Sequence, residues 1–139
     1  MDMKLEVIVI PVSDVDRAKA FYANLGWRFD IDLAVSESFR VVQFTPPGSA
    51  CSIHVGKGNT PAAPGSAQNM FLIVDDMEAA RAALIARGVD VGEPFHREDG
   101  EVVSGADPDR ATYATYASFS DPDGNTWLLQ EITERLPGR

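Results

Sequence analysis

Phe119-Ser120-Asp121-Pro122-Asp123-Gly124-Asn125-Thr126-Trp127-Leu128-Leu129-Gln130-Glu131 is a pattern of two short apolar strands on either side of a tight turn. Pro122 fixes φ early in the turn, aspartate side chains accept hydrogen bonds from turn amides, and Gly124 tolerates positive φ. The segment therefore predicts a β-hairpin near the end of the chain. Its second strand begins immediately after the turn.

Upstream of this hairpin, a strand–helix pattern occurs twice at an offset of 62 residues. Aspartate favours the N-cap of a helix and glycine favours its end, so both helices have matching start and stop signals. The matching positions are Val12 and Val74, Asp14 and Asp76, Ala18 and Ala80, Ala20 and Ala82, and Gly26 and Gly88. Any two strand–helix units share some of these start and stop signals, but a duplicated module explains all the matching positions. We therefore predict an α+β fold of two tandem βαβββ modules that form a half-barrel with a shared cleft.

The chain of 139 residues is long enough for one domain. Module 1 is expected at about 1–58 and module 2 at about 69–136, with a Gly-, Pro- and Ala-rich linker at 56–68. The segment Gly92–Thr112 is rich in acidic residues and is predicted to be a long loop. It is either a lid over the cleft or a solvated loop.

The formal net charge of −9 and a pI of about 4.5 make nucleic acids and anionic membranes poor partners. Cys51 is the only cysteine, which excludes an internal disulfide and fits a reducing compartment. The apolar run Val7–Ile10 is too short for a signal sequence or a membrane span. We expect a cytoplasmic protein whose partner is a small molecule.

The segment from Ser13 to Trp27 resembles the first helix of the vicinal-oxygen-chelate superfamily, and the Asp-Pro-Asp-Gly-Asn hairpin resembles its second module. This superfamily includes glyoxalase I, bleomycin and fosfomycin resistance proteins and extradiol dioxygenases. The resemblance covers nearly the whole chain and implies the two-module fold and a homodimer. It does not specify a reaction, because this fold hosts several chemistries and a role in binding alone.

The resemblance also implies four metal-ligand positions, which are usually His or Glu. In this sequence they are Val7, His54, Asn69 and Leu128. Valine and leucine have no ligand atom, and asparagine is a poor ligand for a transition metal. We therefore expect no cofactor, and a divalent metal is disfavoured. The other histidine, His96, could complete a site with His54 and a carboxylate only if its loop closes over the cleft.

The predicted site is a mostly apolar cleft with a few polar groups, as is usual for a small-molecule site. By strand alternation from the ligand positions, we expect its ligand-binding residues to be Val7, Ser52, His54, Asn69, Phe71, Leu128 and Gln130. His54 is the main candidate for acid or base catalysis, with His96 and Tyr116 as further candidates. Each of these three residues could instead serve packing alone.

Two functions remain open from the sequence. One is a binding protein of the bleomycin-resistance type, which sequesters a small aromatic or cationic compound. The other is a glyoxalase-type lyase or isomerase, or a dioxygenase, in which His54 is an acid/base or a residual metal ligand. The small catalytic inventory favours binding.

Overall fold

The computed structural model describes residues 1–139 and contains two helices and nine strands. In chain order these are β1 (Val7–Val9), α1 (Val15–Asn24), β2 (Arg28–Ser36), β3 (Phe39–Thr45), β4 (Ser52–Lys57), β5 (Met70–Val74), α2 (Met77–Ala86), β6 (Phe95–Glu98), β7 (Glu101–Ser104), β8 (Tyr116–Ser120) and β9 (Thr126–Glu131). The chain divides into two compact units. The first comprises 1–68 with 121–125, and the second comprises 69–120 with 126–139.

The first unit is a four-stranded sheet in the order β1-β4-β3-β2, in which only β1 and β4 are parallel. Helix α1 packs against β3 and β4, and Tyr22 brings its ring 6.2 Å from that of Phe44. Phe44 and Val55 are fully buried on this side of the sheet. Side chains alternate along a strand, so every second side chain points to the other face of the sheet, away from α1. We call this other face the first open face.

The second unit is a five-stranded sheet in the order β5-β9-β8-β6-β7, again with a parallel pair, β5 and β9. Helix α2 packs against β9, and Met77 at its start is fully buried. Trp127 and Leu129 are buried on the same face of β9. The opposite face, which we call the second open face, carries Phe71 and Leu128 side by side.

The two helices begin and end in the same way, 62 residues apart. Asp14 accepts a hydrogen bond from the backbone amide of Arg17, and Asp76 accepts one from Ala79, each at 3.0 Å. Gly26 and Gly88 follow the two helices with φ of 83° and 80°, where a side chain would be strained. The sequence repeat is therefore a structural repeat.

The sequence predicted a long loop over Gly92–Thr112, and this prediction is wrong. The segment contains the hairpin β6–β7, whose two-residue turn is Asp99-Gly100. Both turn residues have positive φ, 52° and 80°, as a type I′ turn requires. Half of the charged residues of this segment lie on the hairpin, namely Arg97, Glu98, Asp99 and Glu101.

The predicted α+β class and the pair of sheets are confirmed. The hairpin predicted from residues 119–131 is formed by β8 and β9, and its turn, Asp121–Asn125, belongs to the first unit. The second module has one strand more than the predicted βαβββ pattern because of β6–β7. Neither helix is long and apolar enough to cross a membrane.

Candidate functional site

A row of four neighbouring side chains crosses the first open face, one from each strand. Val9 pairs with His54, His54 with Gln43, and Gln43 with Ile31. Leu33 follows Ile31 on β2, and these two apolar side chains are exposed by 50% and 46% of their surface. The face is therefore an apolar surface with His54 and Gln43 near its centre.

A polar network connects His54 to a carboxylate on the same face. Gln43 Oε1 lies 2.9 Å from His54 Nε2, and Gln43 Nε2 donates to Asp30 Oδ2 at 3.1 Å. Thr45 donates its hydroxyl proton to the same Asp30 oxygen at 2.5 Å and lies 2.7 Å from the Ser52 hydroxyl. Five side chains from three strands are thus held in one connected arrangement.

Asp30 reaches this face because of a β-bulge. Phe29 pairs with Phe44 and Ile31 pairs with Gln43, so Asp30 is an additional residue without a partner in the ladder. Its pKa is lowered mainly by the hydrogen bond from Thr45 and also by Arg28 and Gln43, whereas desolvation opposes the shift. Arg28 Nε donates to Asp30 Oδ1 at 2.6 Å, so the carboxylate is ionised and fully engaged.

The second open face is an aromatic and apolar surface. Phe95 and Tyr116 stack with their ring centroids 5.5 Å apart, and Phe71 is 55% exposed beside Leu128. Gln130 is buried and donates to the backbone carbonyl of Tyr113 at 2.9 Å and to the Tyr116 hydroxyl at 3.3 Å. Its amide group is therefore used to hold Tyr113 and Tyr116 in place.

The structure divides the sequence-predicted site residues between the two units. Val7, Ser52 and His54 share the first open face, and Phe71, Leu128, Gln130 and Tyr116 share the second. Asn69 precedes β5 with φ of 54°, and its backbone amide donates to Thr126 Oγ1 at 2.6 Å. The apolar and polar residues predicted for the cleft therefore lie on the two open faces.

His96 lies in strand β6 and not in a loop, and it does not share a face with Tyr116. Its neighbour Phe95 pairs with Tyr116, so alternation directs His96 to the opposite face, where it is buried. Nδ1 lies 2.7 Å from the Gly105 carbonyl oxygen and Nε2 lies 3.1 Å from Glu98 Oε1. These two acceptors raise the pKa of His96, with the Gly105 carbonyl the larger cause. This position favours a structural role.

Two of the implied ligand positions, His54 and Leu128, are related by the repeat of the two sheets. His54 pairs with Val9 and Leu128 pairs with Phe71, and Val9 and Phe71 are also 62 residues apart. His54 and Leu128 therefore occupy equivalent positions of the two sheets. Because Val7 and Leu128 have no ligand atom, this set of residues does not fit the superfamily's metal centre.

One acidic cluster has metal-like geometry but is already occupied by an arginine. Oxygen atoms of Asp76, Glu78 and Glu131 lie within 4.8 Å of one another. Arg110 donates to both oxygens of Glu78 at 2.9 Å, and to Glu131 Oε2 at 2.7 Å. The guanidinium group pairs with two of the three carboxylates, so the cluster is an ion-pair network.

A polar pocket of about 550 Å³ lies elsewhere in the first unit. It is lined by the start of α1, by Arg40 and by the segment from Gly56 to Thr60. None of the sequence-predicted site residues lines it.

Three members of the polar network are not among the site residues predicted from the sequence: Asp30, Gln43 and Thr45. Gln43 and Thr45 flank the buried Phe44 in β3, so alternation along the strand places them on the face opposite Phe44. Asp30 had no such signal, because a bulge changes which face a residue occupies.

Comparison with known proteins agrees with this architecture. A family model described as the Glyoxalase/Bleomycin resistance protein/Dioxygenase superfamily matches residues 4–129. The chain is similar to TnmS3, an antibiotic binding protein from Streptomyces sp. CB03234, with 30% identity, a TM-score of 0.74 and coverage of 94% of this chain and 97% of that one.

Two further structures are similar. A glyoxalase/bleomycin resistance protein from Streptomyces sp. CB03234 has 30% identity and a TM-score of 0.70, with coverage of 92% of this chain and 100% of that one. A superfamily member from Sphaerobacter thermophilus DSM 20745 has 27% identity and a TM-score of 0.67, with coverage of 94% and 98%. No curated protein matches the chain at a significant level.

Proposed function

Because the chain belongs to the Glyoxalase/Bleomycin resistance protein/Dioxygenase superfamily, we propose that it binds and sequesters a small aromatic or cationic compound without a metal cofactor. The observation that carries this proposal is the first open face, where exposed Ile31 and Leu33 border the polar network of His54. An apolar surface with a few ordered polar groups is the usual composition of a small-molecule site.

Three other observations support the proposal. Two of the four positions implied for the metal are apolar, Val7 and Leu128. TnmS3, which is 30% identical, is described as an antibiotic binding protein. The net charge of −9 also raises the local concentration of cationic ligands at low ionic strength.

A titration with a matched pair of variants tests the proposal. Leu33 on the open face and Ile85 on α2 are each 50% exposed. A panel of neutral and cationic aromatic compounds is screened by thermal shift, and the compounds that stabilise the protein are titrated by calorimetry. We expect Leu33→Glu to weaken binding at least about 10-fold, because it places a charge on the apolar contact surface, and Ile85→Glu to leave it unchanged. Equal effects of both variants, or no stabilising compound, would contradict the proposal.

A second candidate function is a metal-free lyase or isomerase in which His54 is the general base. The chain of hydrogen bonds from His54 through Gln43 to Asp30 favours it, because such a chain orients an imidazole. In this case His54→Ala retains binding and loses turnover of the bound compound. Unchanged turnover in this variant would exclude His54 as the base.

We also propose a cytoplasmic homodimer, as the superfamily resemblance and the single cysteine imply. Analytical ultracentrifugation tests the assembly directly: a sedimentation coefficient of the monomer at high protein concentration would exclude the dimer.

A further inference from the structure

The hydrogen-bond network determines which nitrogen of His54 carries the proton. An ionised carboxylate only accepts hydrogen bonds, so the nitrogen of the Gln43 amide must face Asp30. The oxygen of the same amide then faces His54, and an amide oxygen also only accepts. His54 must therefore donate from Nε2.

Every other donor around Asp30 is consistent with this direction. Arg28 Nε donates to Oδ1, while Thr45 and Gln43 donate to Oδ2. Because Asp30 is ionised and has three donors, it has no proton to give to Gln43. The orientation of the Gln43 amide is thus set by a charge that is two hydrogen bonds away from the imidazole.

In a neutral imidazole with its proton on Nε2, Nδ1 is an acceptor. His54 Nδ1 makes no hydrogen bond within the protein, and the ring is half-buried beside Val9 on the open face. Because the ring is only half-buried, solvent satisfies this acceptor in the free protein. A ligand that covers Nδ1 displaces that solvent, and the acceptor then costs free energy unless the ligand donates a hydrogen bond to it.

From this geometry we infer that the ligand carries a hydroxyl or N–H group that donates a hydrogen bond to His54 Nδ1, with Asp30 and Gln43 as the positioning residues. This inference rests on the proposed function, since it names the chemical class of the compound bound there. It selects phenols, alcohols, amides and protonated amines over ethers and other compounds that only accept hydrogen bonds.

The tautomer is measured first, on protein with ¹⁵N-labelled histidine. The sequence has only two histidines, so the long-range ¹H–¹⁵N spectrum contains two ring systems. We expect the ring of His54 to have a protonated Nε2 and an unprotonated Nδ1. A wild-type His54 with its proton on Nδ1 would overturn the inference.

Variants test whether Asp30 and Gln43 hold the tautomer. Asp30→Asn allows the Gln43 amide to turn, and Gln43→Met removes the amide, so each raises the population with the proton on Nδ1. Asp32→Asn is the matched control, because Asp32 lies on the same strand but pairs with Lys19 and Arg40. An unchanged tautomer in both folded test variants would show that the network does not position His54.

Binding of 2-naphthol and 2-methoxynaphthalene then tests the ligand class. One net hydrogen bond corresponds to an affinity about 3- to 10-fold higher for the naphthol, and this ratio should fall towards one in Asp30→Asn. Equal affinity of both compounds for the wild type would overturn the inference and leave the proposed function intact. Failure of both compounds to bind, together with the absence of any stabilising compound in the aromatic and cationic panel, would contradict the inference and the proposed function together.

Discussion

Glu131 is a buried carboxylate, with a side chain 4% exposed, and its partners are distributed over two elements. Oε2 accepts a hydrogen bond from the Met77 amide at the start of α2, at 2.7 Å, and another from Arg110. A negative charge at a helix N-terminus is favourable, but a buried charge also needs a counter-charge. Arg110 supplies it from the segment that precedes β8.

Arg110→Ala is therefore expected to destabilise the protein by about 1–2 kcal/mol, because it leaves the Glu131 charge without its cation. This is below the cost of breaking a fully buried pair, since Arg110 is half-exposed. Urea unfolding measures the change. Glu78→Gln, which removes the exposed partner of the same arginine, should cost less than about 0.5 kcal/mol. Equal losses in the two variants would mean that Glu131 does not depend on Arg110.

The turn Asp121–Asn125 is held by side chains as much as by its backbone. Asn125 is fully buried, donates to the Pro11 carbonyl and to Asp121, each at 2.8 Å, and accepts from the Ala67 amide at 3.1 Å. Asp121 accepts from the Tyr22 hydroxyl at 2.8 Å. The turn is thus a built part of the first unit.

Asn125→Ala should destabilise the protein by about 2–4 kcal/mol, because the Pro11 carbonyl and the Ala67 amide lose their buried partner. Tyr22→Phe, which removes one hydrogen bond to Asp121, should cost about 1–2 kcal/mol. Ser120→Ala, at an exposed position of the neighbouring strand, is the control and should change stability by less than about 0.5 kcal/mol. Thermal or urea unfolding distinguishes these values, and a neutral Asn125→Ala would contradict the structural role of the turn.

The elements that the sequence predicted well are those with local signals. Helix caps and tight turns depend on residues only a few positions apart, so a short stretch of sequence is enough to predict them. Examples are the caps Asp14 and Asp76 and the turn at Gly124. The β6–β7 hairpin was missed although Asp99-Gly100 is a strong turn signal, because the number of charged residues around it was taken as evidence for a loop. The site was only partly predictable. Asp30 reaches it through a β-bulge, and the position of that bulge depends on how β2 pairs with β3.

At the scale of the whole molecule, the free energy of unfolding is expected to be largest below neutral pH, because the pKa values of two carboxyl groups and one histidine are shifted. The pKa values of Asp32 and Glu78 are lowered, mainly by hydrogen bonds from Arg40 and Arg110 respectively. Their contribution to the free energy of unfolding is therefore complete above their pKa in the unfolded chain, and it is lost as the pH falls through their pKa in the folded protein. The pKa of His96 is raised from 6.5, mainly by the Gly105 carbonyl, so its contribution is present below 6.5 and lost as pH rises through the folded pKa.

We therefore expect Tm to decrease in strong acid and also to decrease between about pH 6 and 8, the range in which histidine titrates. Calorimetry across this range measures both slopes. His96→Gln should flatten the alkaline slope, whereas Glu98→Gln should only reduce it, because the Gly105 carbonyl remains as a partner. An alkaline slope that is unchanged in His96→Gln would assign it to another group.

The bulge at Asp30 makes the network of His54 sensitive to the length of β2 as well as to its side chains. Without this residue, Phe29 and Ile31 would still lie opposite Phe44 and Gln43, and the ladder would become regular up to its second irregularity, between Ala34 and Ser36. Deletion of Asp30 would thus remove the bulge between Phe29 and Ile31, and at the same time it would remove the only anion of the His54 network. Among homologous chains, a gap at this position would mark proteins with the same fold whose histidine is free to carry its proton on either nitrogen.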